Sequence, residues 1–230
     1  MDSLFEKMRR VDFPLIVSLP ENSAELARAA IDEGANALKV HLNCLHRATG
    51  VKFGSFSQER RALDEISRLA HDSKVHLGVM AGAEKCASRE ELEILSGMGF
   101  EFFDVYTKDL PAHLLGIRSL RKVLAIGEHY DLEEVRALKD TGADALEASI
   151  IPPEGYGRAL TAEDLLRYRV LVSTCKLPVI VPTQRKITLD DLPILRDTGV
   201  ASLMIGAVVT GTTLDIFKRS VRMFRTALEE

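Results

Sequence analysis

The feature that most constrains this chain is a rhythm. Eight short, apolar, β-prone runs alternate with stretches of helical periodicity along its 230 residues. The runs cover 14–18, 37–43, 75–81, 100–106, 123–128, 143–151, 178–183 and 201–208. Amphipathic segments such as 24–31 and 132–138 lie between them, and 214–228 closes the chain. Alternation of this kind specifies parallel strands joined by crossover helices. A weak internal repeat supports it. Gly34, Gly99, Gly142 and Gly199 each stand where a helical stretch gives way to the next run, a position that requires positive φ. The pattern predicts an α/β fold, a single (β/α)8 TIM barrel in which residues 1–230 form one domain. An open doubly wound sheet, usually of about five or six strands, is the alternative.

Composition excludes several classes. With 46% hydrophobic residues the chain is not disordered. Lys and Arg number 30 against 34 Asp and Glu, a net charge of −4, which argues against a nucleic-acid partner bound by global charge. Cys44, Cys86 and Cys175 are far apart in sequence, so neither a disulfide framework nor a Cys-rich metal site is expected. No apolar run approaches the roughly 18 residues of a membrane span, and the N-terminus lacks a signal-type apolar stretch. The expectation is a cytoplasmic protein with a small-molecule substrate, no membrane partner, and scope for a homo-oligomer.

Charges should be rare in barrel strands, yet three runs carry them. Lys39, His41 and Asn43 share one face of the second run, Asp104 and Tyr106 one face of the fourth, and Glu147 and Ser149 one face of the sixth. The opposite faces are apolar, so Lys39, Asp104 and Glu147 should point into the barrel, all from even-numbered strands that supply common interior layers. A lysine among two carboxylates is either a packing network or a centre for proton transfer or imine formation. His41 is a candidate assistant. Glu128, followed by His129, is a candidate acid at the barrel mouth. His71 and His76 read as structural or exposed groups, and Glu84 and Lys85 either as a surface ion pair or as charges that reach the barrel mouth. No metal motif occurs, and no cofactor is expected; a divalent ion held by Asp104, Glu147 and a substrate oxygen is the remaining arrangement.

Barrels often bind phosphate with the loops after strands 7 and 8 and a short helix N-terminus. Gln184, Arg185 and Lys186 follow the seventh run, and Gly206, Ala207, Thr210, Gly211 and Thr212 the eighth, which predicts an anion cradle there. With these residues in view, the chain resembles the ribulose-phosphate-binding-barrel superfamily over essentially its whole length. The segment Val200-Ala201-Ser202-Leu203-Met204-Ile205-Gly206-Ala207 is similar to the phosphate-binding eighth strand of N-acylmannosamine-6-phosphate 2-epimerases. The opening Leu15-Ile16-Val17-Ser18 is similar as well. The resemblance implies the barrel and a phosphate-ester ligand. It also implies a catalytic Lys just after strand 3 and a Glu after strand 7, whereas here Lys85 lies further on and strand 7 leads to Gln184 and Arg185. The expected function is therefore an enzyme acting on a small phosphorylated carbohydrate or oxo-acid, an isomerase, epimerase or aldolase-type lyase. A non-catalytic phospholigand-sensing barrel is the alternative.

Overall fold

The computed structural model describes residues 3–10 and 12–229. The chain runs α1 (Leu4–Arg9), β1 (Leu15–Ser18), α2 (Ala24–Asp32), β2 (Ala37–His41), α3 (Phe56–Ser73), β3 (His76–Met80), α4 (Arg89–Gly97), β4 (Phe102–Tyr106), β5 (Arg121–Ile126), α5 (Leu132–Ala137), β6 (Ala145–Ala148), α6 (Ala162–Cys175), β7 (Val179–Pro182), α7 (Leu192–Asp197), β8 (Ser202–Ile205), α8 (Ala207–Thr210) and α9 (Leu214–Glu229). All neighbouring strands pair in parallel, and β8 returns to β1 through Leu15↔Leu203, Ile16↔Met204 and Val17↔Ile205, which closes a barrel of eight strands. The fold is the (β/α)8 TIM barrel.

Local chemistry explains the element ends. Ser88, Thr161 and Ser3 open α4, α6 and α1 with reciprocal capping boxes to Glu91, Asp164 and Glu6. Gly34, Gly99, Gly142 and Gly199 all have positive φ, between 80° and 94°, at the turns that re-enter β2, β4, β6 and β8. The last run and one connection depart from the sequence pattern. The eighth apolar run ends as a strand at Ile205, and 207–210 coil into the short α8. No α-helix joins β4 to β5; two 3₁₀ turns, Thr107–Asp109 and Ala112–Gly116, make that connection.

Two apolar cores result. The larger lies between the strands and the surrounding helices. The smaller fills the lower barrel, where Ile16, Ala37, Phe102, Val123, Ala145, Ile180 and Met204 meet Leu4, Phe5 and Met8 of α1. Helix α1, which no run in the sequence announced, is thus a plug at the N-terminal end of the strands. Glu101 fixes it there by accepting from the Leu4 amide at 3.1 Å. Strand alternation then stacks the even strands in tiers: Ala37, Phe102 and Ala145 below, Lys39, Asp104 and Glu147 above them, and His41, Tyr106 and Ser149 at the top.

Candidate active site

The middle tier brings Lys39, Asp104 and Glu147 together as expected. The Lys39 ammonium donates to Asp104 Oδ2 at 2.6 Å and to Glu147 Oε2 at 2.8 Å. Ser149 donates to the other Glu147 oxygen at 2.6 Å. All four side chains are buried, with relative exposures of 5% for Lys39, 1% for Asp104, 5% for Glu147 and 6% for Ser149. Burial alone would lower the Lys39 pKa, but the two adjoining carboxylates outweigh it and raise it. Burial and the Glu147 charge push Asp104 well above the ordinary carboxylate range. Burial acts on Glu147 too, yet Lys39 and the hydrogen bonds to its oxygens hold that carboxyl below its usual value. The two carboxyls of the trio are thus pushed in opposite directions, Glu147 toward the ionised form and Asp104 toward the protonated one. Among the described residues no group of three or more His, Cys, Asp or Glu side chains is arranged to hold a metal.

Lys39, Glu147, His41, Ser149 and Tyr106 line a cavity of about 320 Å³ at the C-terminal ends of the strands, while Asp104 lies beneath it. Lys39 is not sealed under apolar side chains, and its third N–H remains free for a ligand. His41 sits 3.3 Å from Ser18 Oγ through Nε2 and stacks on Phe53 at 4.7 Å. Burial, helped by Lys39, lowers its pKa far enough to keep the imidazole neutral. Burial pushes Tyr106 up to about 12 and Cys44 up to about 11, so neither is ionised near pH 7.

The wall above His41 is a hairpin that the long loop after the second run did not reveal. β2 ends at His41, earlier than the sequence suggested. Asn43 takes φ 49°, and its amide donates to Gly54 O, which diverts it from the face shared by Lys39 and His41. Leu45 pairs antiparallel with Lys52, and His46 N donates to Val51 O. This places His46 and Arg47 on the rim. Asn22 fastens the hairpin's base, exchanging two hydrogen bonds with the His41 backbone and donating to Glu59, whose other oxygen accepts from Gly54 N.

Of the residues expected to form an anion cradle, only some line the cavity. Gln184, Gly206 and Ala207 line the cavity, together with Thr183 and Val208. Gly206 donates to Thr183 Oγ1 at 2.9 Å, and the amides of Ala207 and Val208 open α8, where first-turn N–H groups have no intrahelical acceptor. Gln184 is already committed through its side chain to Ile151 N and Tyr156 OH. Arg185 is corrected. It grips the buried Asp164 with Nε and Nη2 at 2.9 and 3.0 Å and donates to Gly155 O, which ties the loop to α6 and takes it away from the cavity. Lys186 is exposed outside the lining, Thr210 is the buried last residue of α8 with its hydroxyl on Gly211 O, and Gly211 and Thr212 lie past the helix. Glu128 is exposed and away from the cavity as well. The cations that do reach the rim are Arg47 and Lys108. Lys108 directly follows the fourth apolar run, whereas nothing in the sequence around Arg47 marks it.

No family model and no curated protein matches the sequence. The backbone does match solved structures. Thiamine phosphate pyrophosphorylase from Pyrococcus furiosus superposes with a TM-score of 0.68 at 18% identity, covering 96% of this chain and 98% of that one. A chain of Mycobacterium tuberculosis tryptophan synthase gives 0.75 at 13% identity over 98% and 96%. A native KDPGal structure gives 0.64 at 17% identity over 94% and 95%. Identities this low establish the barrel and no more. Among the described residues, no helix is long and apolar enough to cross a membrane.

Proposed function

We propose that the protein is a cofactor-independent acid–base enzyme that moves a proton next to the carbonyl of a small phosphorylated carbohydrate or oxo-acid. The observation that carries this reading is the Lys39 ammonium held between Asp104 and Glu147 on the floor of a cavity at the C-terminal strand ends. Barrel chemistry is done at that end. Glu147, kept ionised, accepts the proton as the C–H bond breaks. The electron pair passes to the carbonyl oxygen, and the free N–H of Lys39 stabilises the resulting enolate. Returning the proton to the other face or to the neighbouring carbon gives an epimer or an isomer. A retro-aldol cleavage would use the same enolate stabilisation. Asp104 positions the ammonium by accepting one of its N–H bonds. The Thr183 hydroxyl, which accepts from Gly206 N and keeps its own proton to donate, and the amides of Ala207 and Val208 are the groups suited to a phosphate.

An imine mechanism fits less well. It requires a neutral amine near pH 7, and two paired carboxylates keep Lys39 charged. Borohydride with phosphorylated oxo-acids is expected to leave no adduct at Lys39. The decisive experiment is NMR in deuterated water with a panel of phosphosugars and oxo-acid phosphates. A turned-over compound should gain deuterium beside its carbonyl, and Glu147→Gln should slow exchange by about 10²–10⁴-fold. A phosphosugar that binds without exchange or turnover would mark a sensing barrel instead.

A further inference from the structure

We infer that the ligand of this cavity is two-ended, a short carbon chain with an acidic group at each end, one held by the α8 amides and the other by Arg47 and Lys108. The inference rests on the reading of the cavity as a phosphoester site and adds a second anionic subsite across it. The two cations come from different loops. Arg47 stands on the hairpin after β2, and Lys108 follows β4. Both line the same cavity as Tyr106, and the Lys108 ammonium lies 5.9 Å from the Tyr106 ring centre. Glu84 and Asp109 also stand on the rim, but neither forms an ion pair with Arg47 or Lys108 among the described residues. Both cations therefore keep their hydrogen-bonding capacity for a ligand. Gly206, Ala207 and Val208 belong to the loop after β8, elsewhere on the rim, and Lys39 lies on the floor. A cavity of about 320 Å³ is at the small end for ligand sites, so the two anions are separated by only a few carbons.

The test compares 3-phosphoglycerate, which has a phosphate and a carboxylate, with glycerol 3-phosphate and glycerate, by calorimetry at fixed ionic strength. The two-ended compound should bind about tenfold or more tightly than either one-ended compound, the gain expected of a charge-assisted guanidinium–carboxylate contact. In Arg47→Gln/Lys108→Gln, whose side chains are exposed, the preference should disappear while glycerol 3-phosphate binding changes little. Lys85→Gln serves as a control for overall charge. Equal affinity for one- and two-ended compounds, or a preference that survives the double substitution, overturns the inference and leaves the phosphoester reading intact. Binding unaffected by Gly206→Val, or no binding of any phosphate ester, overturns both.

Discussion

Lys39 decides how this protein responds to pH, because it is the cation that lets two carboxyl groups share a dry site. Replacing it by Met leaves Asp104 and Glu147 facing each other with no positive charge. Loss of one partner from a buried ion network costs about 3–5 kcal/mol. In that variant both carboxyls would have folded-state pKa values above their unfolded ones, so the folded state binds more protons than the unfolded state through that window. Stability of Lys39→Met should therefore fall as pH rises from 5 to 7, and urea denaturation at the two values should show its deficit shrinking toward acid. A deficit independent of pH would mean that the lost contact is packing rather than charge. The same residues show what a sequence can disclose. Lys39, Asp104 and Glu147 were legible because strand alternation puts a charge on an otherwise apolar ladder only for a reason. Arg185 was misread because its partner, Asp164, lies on a helix 21 residues away, and nothing in either residue's local pattern marks the pairing.

At the scale of elements, the hairpin over His41 and the strand β3 carry the sharpest expectations. His46 hydrogen-bonds Thr49 within the hairpin and packs edge-on against His41 at 5.1 Å. Burial lowers its pKa to about 4, below the unfolded value near 6.5. The unfolded state thus binds more protons between those values, and the hairpin loses stability as pH falls through them. NMR titration of the imidazole signals should find His46 neutral down to about pH 5; a His46 midpoint near 6.5 would show a solvated, open hairpin. On β3, Gly78 has no side chain because the Phe102 ring occupies that space, and a β-carbon there would lie 2.1 Å from the ring's Cζ. Gly78→Ala should cost about 1–3 kcal/mol, as overpacking does, and adding Phe102→Leu should recover much of it. Equal stability of Gly78→Ala and wild type would place the ring elsewhere. Helix-end glycines and the βα rhythm were readable in sequence because they are local. The plug α1 and the site of Phe102 were not, since both depend on what the closed barrel leaves empty.

At the scale of the molecule, the two ends of the barrel divide stability from ligand binding, as the fold generally does. The N-terminal end is sealed by apolar contacts around α1, where Phe5 meets the edge of Phe102 with ring centres 5.9 Å apart. The C-terminal end holds the cavity, with Gly206 in extended backbone at φ −138°, a conformation open to any residue. A β-carbon on Gly206 would sit 3.6 Å from Ser18 Cβ, an ordinary contact, so Gly206→Val should fold normally while its methyl groups obstruct the α8 amides. Phe5→Ala should do the reverse. Removing a buried phenyl costs about 3–5 kcal/mol. At roughly 2–4 °C per kcal/mol for a domain of this size, the melting temperature should drop by on the order of 10 °C, while affinity for a phosphate ester stays unchanged. Thermal melts and calorimetry on the two variants should give opposite columns of effect. A Phe5→Ala protein that keeps its melting temperature would mean α1 is not a structural plug. One that melts early and also loses the ligand would mean that the lower core and the cavity form a single cooperative unit, coupled through the Lys39 tier that lies between them.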